Sequence, residues 1–104
     1  MAQFSVHRNA NPKTSKAVPY LLDVQSDLLE SLVTRVVVPL ILAKQFGLAA
    51  KKLNPSFEID GEAVSMSTAE IAGVPVKALG EQVCSLGDWR DDIVAALDLL
   101  FYGI

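Results

Sequence analysis

Side chains able to do covalent or acid–base chemistry are scarce in this 104-residue sequence. It has one cysteine, Cys84, and one histidine, His7, far apart along the chain. A thiol nucleophile needs a neighbouring base or cation to hold its thiolate, and the spacing supplies none. Cys84 is therefore expected to be unreactive, and His7, beside Arg8, to be a partly exposed surface histidine. A zinc site needs clustered cysteines and histidines, which this composition cannot give. Phosphate-cradling glycine loops and nucleophile elbows are absent. Asp91 and Asp92 belong to a helix start and Asp60 to a turn, whereas glycosidase chemistry needs two carboxylates facing across a cleft. The expectation is a protein with no catalytic residues, no cofactor and no metal.

Hydrophobic residues make up 51% of the chain and charged residues 20%, so it can fold as one domain, residues 1–104. The net charge of −3 argues against nucleic acid as the direct partner, because phosphate binding is driven by Lys and Arg. It suits a basic surface on another protein. The start of the sequence does not read as a signal peptide, and the apolar run Val36 to Ala43 is short and interrupted by Pro39. With one cysteine and no apparent leader, a cytoplasmic setting is expected, with no membrane partner.

What must position any functional residue is mainly β. Gln3 to His7 alternates apolar and polar residues, as a half-buried strand does. Arg8 to Lys16 reads as a polar hairpin loop, locally basic through Arg8, Lys13 and Lys16, either a solvated tip or a binding loop. Val18 to Gln25 and the β-branched run Thr34 to Leu42 read as strands, joined by the connection Ser26 to Leu32; Pro39 should mark a bulge or strand end. Ala43 to Leu53 is expected to be a loop with one helical turn. Asp60-Gly61 between alternating runs predicts a tight hairpin over Phe57 to Met66. Pro75 to Leu79 reads as a short strand and Gly80 to Gly87 as turns.

The period then changes. From Asp88 to Ile104 the apolar residues Trp89, Ile93, Ala96, Leu97, Leu100 and Ile104 fall within ~100° on a helical wheel. They should form the buried stripe, with Phe101 packing beside it. Ser85 or Gly87 is the expected cap, and Gly103 the stop. Asp91, Ala95, Asp98 and Tyr102 share the opposite face. That face is polar except for Tyr102, which either points outward as an interface ring or folds back onto the core.

Four segments, in order, resemble the CcdB toxin family over essentially the whole chain: Leu22 to Leu28 (LDVQSDL), Thr34 to Leu40 (TRVVVPL), Gly73 to Val76 (GVPV), and the terminal Tyr102-Gly103-Ile104. The resemblance implies an SH3-like small barrel of antiparallel strands with a C-terminal α-helix, assembled as a homodimer. It implies a toxin of a type II toxin–antitoxin module that binds the DNA gyrase A subunit, traps the cleaved-DNA complex, and is neutralised by a CcdA-type antitoxin. Carried over by position, the gyrase-binding residues are Tyr102, Gly103 and Ile104, then Asp91, Ala95 and Asp98, then Leu28, Leu29 and Glu30. Family members carry Trp at Tyr102 and Asn at Ala95, so gyrase contact is expected to be altered there. Arg8, Lys13, Lys16 and Arg35 are candidates for meeting an acidic antitoxin tail. Two alternatives remain: an endoribonuclease toxin on the same barrel, resembling MazF and Kid, and a dimeric homologue that no longer poisons gyrase.

Overall fold

The computed structural model describes residues 2–47 and 50–104; Leu48 and Ala49, inside the expected Ala43 to Leu53 loop, lie outside the described residues. Among the described residues, seven strands form one curled, half-barrel antiparallel sheet: β1 (Ser5–Asn9), β2 (Tyr20–Asp23), β3 (Thr34–Leu42), β4 (Ser56–Ile59), β5 (Glu62–Met66), β6 (Ala72–Pro75) and β7 (Leu79–Ser85). One helical turn, α1 (Ala43–Phe46), follows β3, and the longer helix α2 (Arg90–Tyr102) closes the chain. The strand path is β4-β5-β3-β2-β1-β7, with β6 beside β3 off that path.

Register explains the core. The pairs Tyr20 with Leu40, Leu22 with Val38 and Val6 with Leu22 put these residues on one face of the curl. Phe57, Ile59, Val64 and Met66 from the β4–β5 hairpin join them, and Ile93 and Ala96 of α2 lie on the same cluster. Fully burying each aliphatic side chain contributes roughly 1.5–3 kcal/mol, so this face dominates the stability. The hairpin turns as its sequence requires: Asp60 has φ 50° and Gly61 φ 80°, the left-handed pair of a two-residue turn.

Strand β3 runs unbroken through Pro39, contrary to the expected bulge or end. Val24 donates its N–H to the Val36 carbonyl, which fixes the alternation along β2 and β3. Pro39, opposite Leu21, is then a position whose nitrogen points away from β2. On that other edge β6 has ended at Val37 and β5 begins at Leu40, so no ladder needs a donor from residue 39.

Two further expectations are corrected in the second half. The strand sits at Ala72–Pro75, and Val76–Ala78 is a 3-10 turn. The Gly80 to Gly87 stretch is mostly strand β7, paired to β1 with irregularities around His7. Glycine at 80 marks close backbone approach there: a Cβ would lie 2.9 Å from the Arg8 carbonyl oxygen. Gly80→Ala is expected to destabilise the protein by about 1–3 kcal/mol, because main chain must shift to relieve the contact. Urea unfolding would check this; an unchanged midpoint would mean the two strands slide apart at no cost.

Candidate protein-interaction site

The LDVQSDL segment is first a structural device. Asp23 and Arg35 are both fully buried and form an ion pair, Arg35 Nε to Asp23 Oδ2 at 2.8 Å. The other Asp23 oxygen accepts the Gln25 N–H at 3.0 Å. Gln25 in turn accepts the Val36 N–H at 2.9 Å through Oε1 and donates from Nε2 to the Leu29 carbonyl at 3.1 Å. Ser26 Oγ accepts the Leu28 N–H and starts the 3-10 turn Asp27–Leu29. The charges hold the loop from below, and the loop holds its leucines outward.

Leu28 is 93% exposed and Val33 82%, with Leu29 and Leu32 about half exposed. Glu30 is exposed beside them. Leu32 and Val33 also line a shallow groove of about 570 Å³ with Thr34, Pro75, Val76 and Lys77. Sequence reasoning named Leu28, Leu29 and Glu30 and missed Leu32 and Val33. Leu28, Leu29, Leu32 and Val33 fall at i, i+1, i+4 and i+5, the spacing of one helix face, so the local pattern suggested burial and carried no signal of their exposure.

Helix α2 is anchored by Ile93 and Ala96, which are fully buried, with Val94 and Leu97 partly packed on the core. Residues 98–100 are half-buried and the helix end beyond them is exposed. Phe101, Tyr102 and Ile104 are 60%, 75% and 73% exposed. The Phe101 and Tyr102 rings are 6.5 Å apart, tilted by 59°. Gly103 takes the left-handed cap conformation (φ 74°) and donates its N–H to the Leu99 carbonyl at 3.0 Å, the expected stop. Of the two positions left open for Tyr102, the structure has the outward one. Asp91 is exposed on the same face, while Ala95 and Asp98 are half-buried.

The wheel fails at both ends. Ile104 lies past Gly103, whose left-handed turn takes it off the helix, and Phe101 lies past the last core contact, so neither packs. Trp89 is 53% exposed because a 3-10 turn, Gly87–Trp89, precedes the α-helix and breaks the 100° phase. Neither proposed cap serves α2; Ser85 Oγ accepts the Gly87 N–H, one turn earlier.

The basic candidates separate. Arg35 is 1% exposed and committed to Asp23, so it offers nothing to a partner. Arg8 is half-exposed, contacts Asp60 (3.6 Å) and Glu81 (3.5 Å), and lies over the Tyr20 ring. Lys13 and Lys16 are exposed on a loop ordered by Asn9 and Asn11 side-chain bonds. His7 is buried, not partly exposed: its Nδ1 lies 3.0 Å from the Gly80 carbonyl, because β7 covers the strand that the sequence left uncovered. The Cys84 thiol is pushed up by burial first and by Asp60 second, the reverse of an activated nucleophile. No helix among the described residues is long and apolar enough to cross a membrane.

These features define a class: a mainly-β protein whose curled sheet carries a C-terminal helix ending in exposed aromatic residues. Residues 3–103 match the family described as CcdB protein. The chain belongs to the CcdB family, toxins of toxin–antitoxin modules.

Proposed function

We propose that this protein acts in the cytoplasm as a homodimeric, non-enzymatic poison of DNA gyrase. The observation that carries this reading is Tyr102, three-quarters exposed at the end of a helix anchored in the core by Ile93 and Ala96. An aromatic ring held outward by a rigid element is a low-entropy anchor for a partner. Two copies related by a two-fold axis present two such ends between the gyrase A subunits. Tyr102, Gly103 and Ile104 make the central contact, flanked by Asp91, Ala95 and Asp98 and by the loop Leu28, Leu29 and Glu30. By binding the cleaved-DNA conformation preferentially, the toxin shifts the enzyme's population toward it, with no bond made or broken by its own residues. A CcdA-type antitoxin neutralises it, its acidic tail meeting Arg8, Lys13 and Lys16.

Expression in a gyrase-sensitive strain, beside one carrying a resistant gyrase A variant, tests the reading. Killing is expected in the first strain alone, with cleaved-DNA complexes accumulating when purified toxin is added to gyrase. Equal growth of the two strains would overturn it.

A further inference from the structure

Strand β4 ends the sheet path and leaves one edge open. Which of its backbone groups face outward follows from register. Met66 donates its N–H to the Pro55 carbonyl, so Pro55 and Met66 are a hydrogen-bonded pair. Alternation makes Phe57 with Val64 and Ile59 with Glu62 bonded pairs too, and turns the N–H and C=O of Ser56 and Glu58 away from β5. No hydrogen bond from a described residue reaches those outward groups. An edge of this kind is a template for another strand.

Beside this edge lies a cavity of about 440 Å³, lined by Ser56, Phe57, Glu58, Leu86, Trp89 and Asp92. Its aromatic wall is Phe57 and Trp89, with ring centroids 6.4 Å apart and planes tilted by 59°. Half of Trp89 is open to the outside, and two carboxylates, Glu58 and Asp92, share the wall. Aromatic faces and carboxylates both attract a cation. The first turn of α2 would oppose one through its helix dipole, but Asp91 and Asp92 there, and Asp88 just before it, reverse the sign. Lys51 and Lys52 border the adjoining pocket, which shares Ser56 and Asp92 with this cavity, so Glu58 is the carboxylate that lines the cavity alone.

We propose that the β4 edge and the Phe57–Trp89 cavity form one recognition groove for an extended peptide segment of a partner protein that carries an arginine. The peptide adds a strand to β4 through the outward groups of Ser56 and Glu58. Its arginine enters the cavity, stacks on Trp89 and pairs with Glu58 and Asp92. Strand addition supplies affinity and the cavity supplies specificity. The groove sits at the start of α2, about 18 Å from Tyr102 at 1.5 Å per residue, so it is separate from the terminal part of the proposed gyrase contact, while Asp92 adjoins the flanking residues Asp91 and Ala95.

Trp89 is the only tryptophan, so its fluorescence reads the site directly. The probes are the synthetic peptide acetyl-Thr-Val-Arg-Val-Thr-amide, the same peptide with Glu for Arg, a version N-methylated on its backbone amides, and N-acetyl-arginine amide. The arginine peptide should shift the Trp89 emission saturably, with a Kd on the order of 0.1–1 mM. The glutamate peptide should bind at least ~10-fold more weakly, and the methylated peptide not at all. The double variant E58Q/D92N should weaken arginine-peptide binding about 5-fold or more while melting like the parent protein, since both residues are exposed. Tyr102→Ala should bind the peptide normally. The proposal falls if no saturable shift occurs, if arginine and glutamate peptides bind alike, or if N-acetyl-arginine amide matches the peptide. It also falls if sedimentation shows Glu58→Lys dissociating a dimer, since a second copy would then cover the edge.

Discussion

Arg35→Ala should lower the stability of this protein by about 3–5 kcal/mol, the usual cost of removing one partner from a buried ion pair. Arg35 and Asp23 are essentially without exposure, and their 2.8 Å bond is supplemented by the Gln25 N–H on the second Asp23 oxygen. Without the guanidinium, the Asp23 carboxylate stays in the interior with that single donor, and the Gln25 carbonyl loses its 3.4 Å contact to Arg35 Nη2. Against a typical total of about 5–15 kcal/mol, this is a large fraction. In a domain of this length it corresponds to a fall in Tm on the order of 15–30 °C by circular dichroism. Arg35→Lys should fall between the two, since an ammonium keeps the charge but not the planar fork. Replacing Asp23 and Arg35 together with apolar residues of similar volume should recover most of the loss. A drop under about 1 kcal/mol for Arg35→Ala would mean that water reaches Asp23 and that the pair is not what holds the loop.

Tyr102→Ala should have the opposite profile: full stability and lost function. The ring is three-quarters exposed and past the last core contact, so Tm should move by no more than a degree or two. If the gyrase reading holds, truncating this central aromatic anchor should weaken binding to the A subunit by about 2–4 kcal/mol, roughly 30- to 1,000-fold. Toxicity in the sensitive strain should vanish accordingly. Tyr102→Trp should act in the other direction, because indole has the larger face for stacking on a cation. Leu28→Ala should show a smaller loss, since an exposed leucine at a rim contributes less than a central ring. Unchanged toxicity of Tyr102→Ala would remove the terminal segment from the mechanism.

Much of the architecture was legible because it is set by local rules. The Asp60-Gly61 hairpin, the β-branched run of β3, the helical period after Asp88 and the Gly103 stop each depend on backbone preferences within a few residues. Where reading failed, the cause lay between distant segments. Pro39 fits inside a strand only because β6 ends before it and β5 begins after it. Gly80 looked like a turn residue because nothing local shows that Arg8 main chain lies against it. Trp89 and Ile104 carry the right period for the stripe, but a 3-10 turn before α2 and a left-handed cap after it remove both.

The terminal site divides in the same way. Sequence by itself determined that chemistry of the catalytic kind has few residues to work with, that a helix ends the chain, and that Tyr102 stands apart from its apolar stripe. It also carried the family resemblance, through the LDVQSDL segment and the Tyr-Gly-Ile end. Tertiary structure alone decided which charges are surface and which are scaffold. Arg35 and Asp23 are ordinary surface types until β2 and β3 pair and bring them together in the interior. The same pairing, through Gln25, pushes Leu28 and Val33 outward. Periodicity reports which side chains share a face; whether that face meets a core is decided by the other elements, and here core contact stops at Leu97, before α2 ends.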